Sequence, residues 1–296
     1  MTSLHCAARL RIFPRPCKVI GRRVRGEFLD VDGARIYYYA AGTRGAGEPI
    51  IFLHGFPTSG HLWGEVVPLL PAGHRVVVLD LLGYGRSDRP AGRRVDVRAH
   101  AGRVVQVLDE LHIARSCLVG HGIGGGIAQS IAVRQPHRVS HLGLIDSVAF
   151  DQWPTIEGRF ARATLPLTQL LPAEALVAML RWDVMRGYAD PARAAHSLDL
   201  YLRPFMGPGG RNALIAHVRG LTSGETMELG RALPSIQAPT AIVWGQHDPV
   251  IPVAVAKRLQ RSITGSTLDV LPAARHFTPE EAPRQVADVI AKLLTR

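Results

Sequence analysis

The chemistry this chain could perform is organised around a position with no side chain. Residues 118–129 read LVGHGIGGGIAQ, an apolar strand pattern that runs into a glycine-rich turn and then a helical pattern. A turn of this kind presents a nucleophile at its tip, where Ser, Asp or Cys would attack an electrophilic carbon. Here the tip is Gly122, which has nothing to attack with. The turn holds its tip residue at positive φ, a conformation that costs a non-glycine residue roughly 1–3 kcal/mol. Glycine at 122 relieves that strain, while Gly120 and Gly124 let strand and helix approach closely. Cys117, inside the preceding apolar strand, reads as a buried thiol.

The elements that must carry such a turn alternate along the chain. From residue 27, Phe28–Val31 and Ile36–Ala40 read as an antiparallel pair joined at Asp32-Gly33. Ile50–His54 and Val76–Asp80 are short apolar strands, and Val97–His112 has apolar residues at helical spacing. Ser116–Val119 leads into the turn and Ile123–Arg134 forms the helix after it. His141–Asp146, Ala241–Gly245 and Leu268–Leu271 are further strands, and Val286–Leu294 is a terminal helix. Strands alternating with helices predict a mostly parallel sheet covered on both faces. The rhythm changes between Asp146 and Pro239, where residues 151–236 look helical and irregular and read as a cap over the sheet edge. The expected organisation is a basic, disordered extension over 1–26, a core over 27–150 and 237–296, and a helical cap over 151–236.

Five landmarks in this order resemble the α/β-hydrolase superfamily over nearly the whole chain past residue 27: HGFP at 54–57, the Asp80–Pro90 segment, the glycine-rich turn, WGQHDPVIP at 244–252 and ARHFTPEEAP at 274–283. The resemblance implies an α/β fold with an eight-stranded, mostly parallel sheet, flanking helices and a helical cap. The HGFP and LVGHGIGG texts resemble the epoxide hydrolase and haloalkane dehalogenase branch, whose nucleophile is Asp. Dehalogenases usually carry Asn after His-Gly and Trp after the nucleophile; Phe56 and Ile123 stand there instead, which disfavours dehalogenation. Serine hydrolases share the same flanks. The family's chain order of nucleophile, acid and histidine assigns Asp248 and His276 as the catalytic pair, Asp248 fixing the imidazole tautomer so that the other nitrogen acts as base. Asp146 is either an alternative acid or a turn-forming residue. The backbone N–H groups of Phe56 and Ile123 would form the oxyanion hole, which no side-chain change removes. His121 is structural in the family, and Ser59 and Ser87 match no nucleophile position. Tyr188 and Tyr201 either protonate an epoxide oxygen or pack the cap, with Trp182 as another cap residue near substrate.

Bulk properties narrow the partners. The net charge of +11 is misleading, because residues 1–26 hold seven basic residues and no acid, leaving 28 basic against 24 acidic residues, or +4, for the rest. That segment lacks the apolar stretch of a secretory signal. No run of about 18 apolar residues is present, so a membrane span is not expected. The three cysteines suggest neither a disulfide framework nor a metal site, and fit a reducing cytoplasm. The expectation is a small-molecule substrate or ligand, no nucleic acid, no membrane, no metal and no organic cofactor. With Gly122 vacant, three functions stay open: hydrolysis by water activated on His276-Asp248, a non-hydrolytic cyclase, lyase or isomerase using His276 as base, and ligand binding without turnover.

Overall fold

The computed structural model describes residues 17–19 and 22–24 as backbone, and residues 26–42 and 47–296 in full. A short antiparallel ribbon, β1 (Cys17–Val19) and β2 (Arg22–Val24), pairs Cys17 with Val24. The ribbon lies within the extension expected over 1–26. Residues 1–16, 20, 21 and 25 of that extension lie outside the described residues.

The main sheet has eight strands in the order β10-β9-β8-β7-β5-β6-β4-β3. They are β3 (Gly26–Val31), β4 (Ala34–Ala41), β5 (Ile50–Leu53), β6 (Val76–Leu79), β7 (Ser116–His121), β8 (Val139–Ile145), β9 (Thr240–Gly245) and β10 (Thr267–Leu271). β3 and β4 form the expected antiparallel pair, with Asp32-Gly33 at the turn, and β4 runs antiparallel to β6. All remaining neighbours are parallel. Every residue of β5, β6, β7 and β9 is buried, which is why these strands read as continuous apolar runs.

Helices α1 (Val97–Glu110), α2 (Ile123–Arg134), α8 (Val253–Ser262) and α10 (Pro283–Leu293) follow β6, β7, β9 and β10. The Asp96 side chain caps α1 by accepting from the Ala99 N–H at 3.0 Å. Between β8 and β9 the chain builds a helical insertion: α3 (Ile156–Thr168), α4 (Ala173–Met185), α5 (Pro191–Met206), α6 (Gly210–Gly220) and α7 (Gly224–Ala232). The short α9 (Thr278–Glu281) lies just after His276. No helix among the described residues is long and apolar enough to cross a membrane.

Candidate functional site

Gly122 sits where β7 ends and α2 begins, with φ 54° and ψ −122°. The close approaches expected of its neighbours are present. A Cβ on Gly120 would lie 2.2 Å from the Gly124 carbonyl oxygen, and one on Gly124 would lie 2.2 Å from that of Leu53. Neither position can hold a larger residue without moving the backbone. Gly122 is different, because a Cβ there would meet only the Gly55 Cα, at 3.4 Å, an ordinary contact. The tip is therefore strained for a side chain but not crowded. Its carbonyl accepts from the N–H groups of Gly125, Gly126 and Val148, so the turn is held on its own backbone.

Asp248 and His276 arrive from the ends of β9 and β10 and meet beside this tip. The His276 Nδ1 donates to Asp248 Oδ2 at 2.8 Å, and the pair is buried. Asp248 Oδ1 accepts the backbone N–H groups of Val250 and Ile251 at 2.7 and 2.9 Å, so the carboxylate cannot rotate away. With Nδ1 committed, Nε2 of His276 has no protein partner among the described residues. His276 lines a cavity of about 70 Å³ together with Gly122, Phe56, Ile123, Val148 and Trp153. The Phe56 and Ile123 N–H groups likewise donate to no protein acceptor among the described residues, leaving two donors beside the tip.

Three other residues hold this arrangement. His121 Nε2 donates to the His276 carbonyl at 2.9 Å, and burial pushes its imidazole well below the usual pKa, so it is a neutral strut. His54 donates from Nδ1 to the Gly55 carbonyl at 2.8 Å and accepts the Leu81 N–H on Nε2 at 2.9 Å, tying the HGFP loop to the end of β6. Asp146 is fully buried at positive φ, accepting the Gly245 N–H at 2.8 Å and the Thr278 hydroxyl on its other oxygen. It joins the loops that carry Asp248 and His276 and makes no bond to the imidazole. Burial, and then the neighbouring Asp248, raise its pKa well above the carboxylate range.

Ser87 Oγ donates to the Asp80 carbonyl and accepts the Tyr37 N–H, and Ser59 caps a short helical turn, so neither faces the tip. Of the two readings open for Tyr188 and Tyr201, their contacts agree with packing in the cap. Both are buried, both donate to the Glu280 carboxylate, Tyr188 at 2.7 Å, and neither lines the cavity over Gly122. A hydroxyl bound to a buried carboxylate is already committed as a donor, which disfavours either tyrosine as an acid at the tip. Burial also pushes both phenols well above their usual pKa. Trp182 lies further out, 68% exposed, on a groove of about 770 Å³ between α3, α4 and α6.

That groove was not legible in the sequence, since it is formed by helices brought together only in space. It shares Phe56, Gly158, Asp183 and Leu221 with the inner cavity. Asp183 is held there by Arg186, which also binds Glu157 at 3.0 Å. Glu280 was missed as well, although it stands inside the ARHFTPEEAP text; no spacing rule links it to tyrosines 79 and 92 residues away. Among the described residues no group of three or more His, Cys, Asp or Glu could hold a metal ion.

Comparison with known proteins agrees with this architecture. The family model described as the alpha/beta hydrolase fold matches residues 48–283. The dihydrolipoyllysine-residue acetyltransferase component of the acetoin cleaving system of Cupriavidus necator is 30% identical over 278 residues, covering 90% of this chain and 68% of that protein. The 2-hydroxymuconate semialdehyde hydrolase of a Pseudomonas species is 29% identical over 273 residues, 84% of this chain and 88% of that one. The solved structure of an alpha/beta hydrolase fold protein from Burkholderia ambifaria superposes with a TM-score of 0.84 at 25% identity, over 94% of this chain and 99% of that one. The chain belongs to the α/β-hydrolase family.

Proposed function

We propose that the chain hydrolyses a small, largely apolar molecule with an epoxide- or ester-like electrophile, using water activated by His276 and Asp248 in place of a covalent intermediate at residue 122. The HGFP and LVGHGIGG texts, which resemble the Asp-nucleophile epoxide hydrolase and haloalkane dehalogenase branch, support this reading. The observation that supports this reading is the His276–Asp248 hydrogen bond of 2.8 Å, with Nε2 left free beside the vacant tip. In the reaction, Nε2 takes a proton from water as its oxygen bonds to the electrophilic carbon. Charge moves onto the substrate oxygen, which accepts from the Phe56 and Ile123 N–H groups. In an ester the tetrahedral adduct collapses and its carbon–oxygen bond to the leaving alkoxide breaks, while in an epoxide the ring carbon–oxygen bond breaks as water attacks. Asp248 stabilises the imidazolium, which gives the proton taken from water to the departing oxygen. The inner cavity of about 70 Å³ takes the reacting end, and the helical insertion caps it with the apolar groove for the remainder.

General-base assistance is worth about 10²–10⁴-fold, so the substrate must be intrinsically reactive. The test is a panel of activated esters and epoxides in solvent labelled with heavy oxygen. The expected result is labelled product, formed about 10²–10⁴-fold more slowly by His276→Ala. Unlabelled product that also needs His276 would replace this reading with proton transfer by a cyclase, lyase or isomerase, which the empty space over Gly122 also suits. Product from neither protein, with ligand still bound, would reduce the site to a binding pocket.

A further inference from the structure

We infer that the face of the insertion formed by α3 and α4 is a docking surface for an anionic lipid bilayer. On α3, Ile156, Phe160, Ala163 and Leu167 fall at spacings of four, three and four, which puts them within an arc of about 60° at 3.6 residues per turn. Such a stripe ordinarily faces a core. Here it faces solvent: Ile156, Phe160 and Leu167 are 81%, 67% and 75% exposed, and Leu170 just beyond the helix is 78% exposed. Met179 and Trp182 on α4, also exposed, line the same groove as Ile156 and Phe160, so the apolar surface continues across both helices. A contiguous exposed patch of this kind marks an interaction site.

Charge identifies the occupant. Arg159 and Arg162 flank the stripe on one side of α3, and Arg211 and Arg219 stand beside its C-terminal end. Arg159 donates to the carbonyls of Pro154 and Asp151, and Arg162 to that of Leu221. Arg211 donates to the carbonyls of Leu171 and Gln169, and Arg219 to the Gln169 side chain. None of the four makes an ion pair within the described residues. Of the carboxylates on α3 and α4, Glu157 and Asp183 share the single charge of Arg186, so with Glu174 two negative charges stand against the four arginines. An apolar stripe with Trp, Phe and Leu beside arginines has the composition of an element that lies in a bilayer interface. A second copy of the chain fits less well, because a two-fold contact sets each patch against itself and so faces these arginines with their own copies. The proposal departs from the expectation of no membrane partner, since a surface assembled from two helices leaves no long apolar run in the sequence. It does not depend on any chemistry at His276.

The test is flotation of the full chain with vesicles of phosphatidylcholine alone and of phosphatidylcholine with an equal part of phosphatidylglycerol. Salt is set at about 0.1 M and 1 M, where the screening length falls from roughly 10 to 3 Å. The expected result is at least about tenfold stronger partition into the anionic vesicles, a preference lost at high salt. Phe160→Ser with Leu167→Ser should weaken partition about tenfold or more. Arg162→Gln with Arg219→Gln should weaken it about fivefold per arginine. All four side chains are surface groups, and an unchanged thermal midpoint verifies that each variant is folded. Equal or absent partition into both vesicles, or folded variants that bind as the parent does, overturns the proposal. So does a dimer in light scattering that Phe160→Ser with Leu167→Ser converts to monomer while vesicles are ignored.

Discussion

Refilling the tip is the most direct test of how much of the catalytic arrangement survives, and Gly122→Ser and Gly122→Asp are the perturbations. The steric term is small, since a Cβ at 122 meets only the Gly55 Cα at 3.4 Å. The conformational term is not, because φ is 54°. Strain of roughly 1–3 kcal/mol opposes the folded state, and loss of glycine freedom in the unfolded chain returns about 0.4–1 kcal/mol. The net cost is then about 0–2.6 kcal/mol, which for a domain of this size lowers the thermal midpoint by at most about 5 °C. Both variants should therefore fold, with thermal unfolding as the check. The kinetic effect should be far larger. Deleting a nucleophile from a complete triad costs up to about 10⁶ in kcat, so restoring one beside an intact base and two free backbone donors should raise turnover of an activated ester or epoxide by at least about 10³. A covalent intermediate should also be trapped by quenching and mass spectrometry. The reasoning is refuted if a folded variant, by circular dichroism and thermal midpoint, gains less than about tenfold on every substrate in the panel. That outcome would mean that His276 and the donors are not in register with residue 122.

Two further expectations concern the contact between insertion and core. His217 on α6 stacks on Tyr84 at 3.9 Å, and burial pushes its pKa down to about 3. Below pH 6.5 the unfolded chain binds a proton that the folded chain refuses, so stability is full above pH 6.5 and is lost as pH falls toward 3. Between pH 6.5 and 4.5 this single group should remove up to about 2.7 kcal/mol, and His217→Phe should flatten the decline in unfolding free energy, measured by urea titration, by that amount. Glu280→Ala leaves the buried hydroxyls of Tyr188 and Tyr201 without their acceptor and should destabilise by about 2–6 kcal/mol in denaturant titration. Asp248→Asn, which keeps the shape but not the charge, should slow His276-dependent turnover without altering ligand affinity, measured as kcat against Kd.

Most of the sheet was legible because its determinants are local. The runs at 50–53, 76–79 and 116–121 are apolar along their length since both of their faces are covered, and α1 announces itself by helical spacing. The vacancy at 122 and the space constraints at Gly120 and Gly124 were also readable, because a tight turn between strand and helix dictates residue size over five positions. The pairing of Asp248 with His276 is a different matter: a resemblance nominated both residues, but only the adjacency of β9 and β10 brings them to 2.8 Å. The same tertiary placement turned Asp146 into a link between two loops and consigned Tyr188 and Tyr201 to Glu280. Nothing in the spacing of the insertion distinguishes a stripe that packs from one that meets solvent, since periodicity encodes a face and not what covers it. By itself the sequence determined the sheet, the strained tip and the absence of a nucleophile there. Which polar groups meet across the fold, and which apolar helix face stays uncovered, was decided only in three dimensions, where contacts between distant segments compete for the same donors and surfaces.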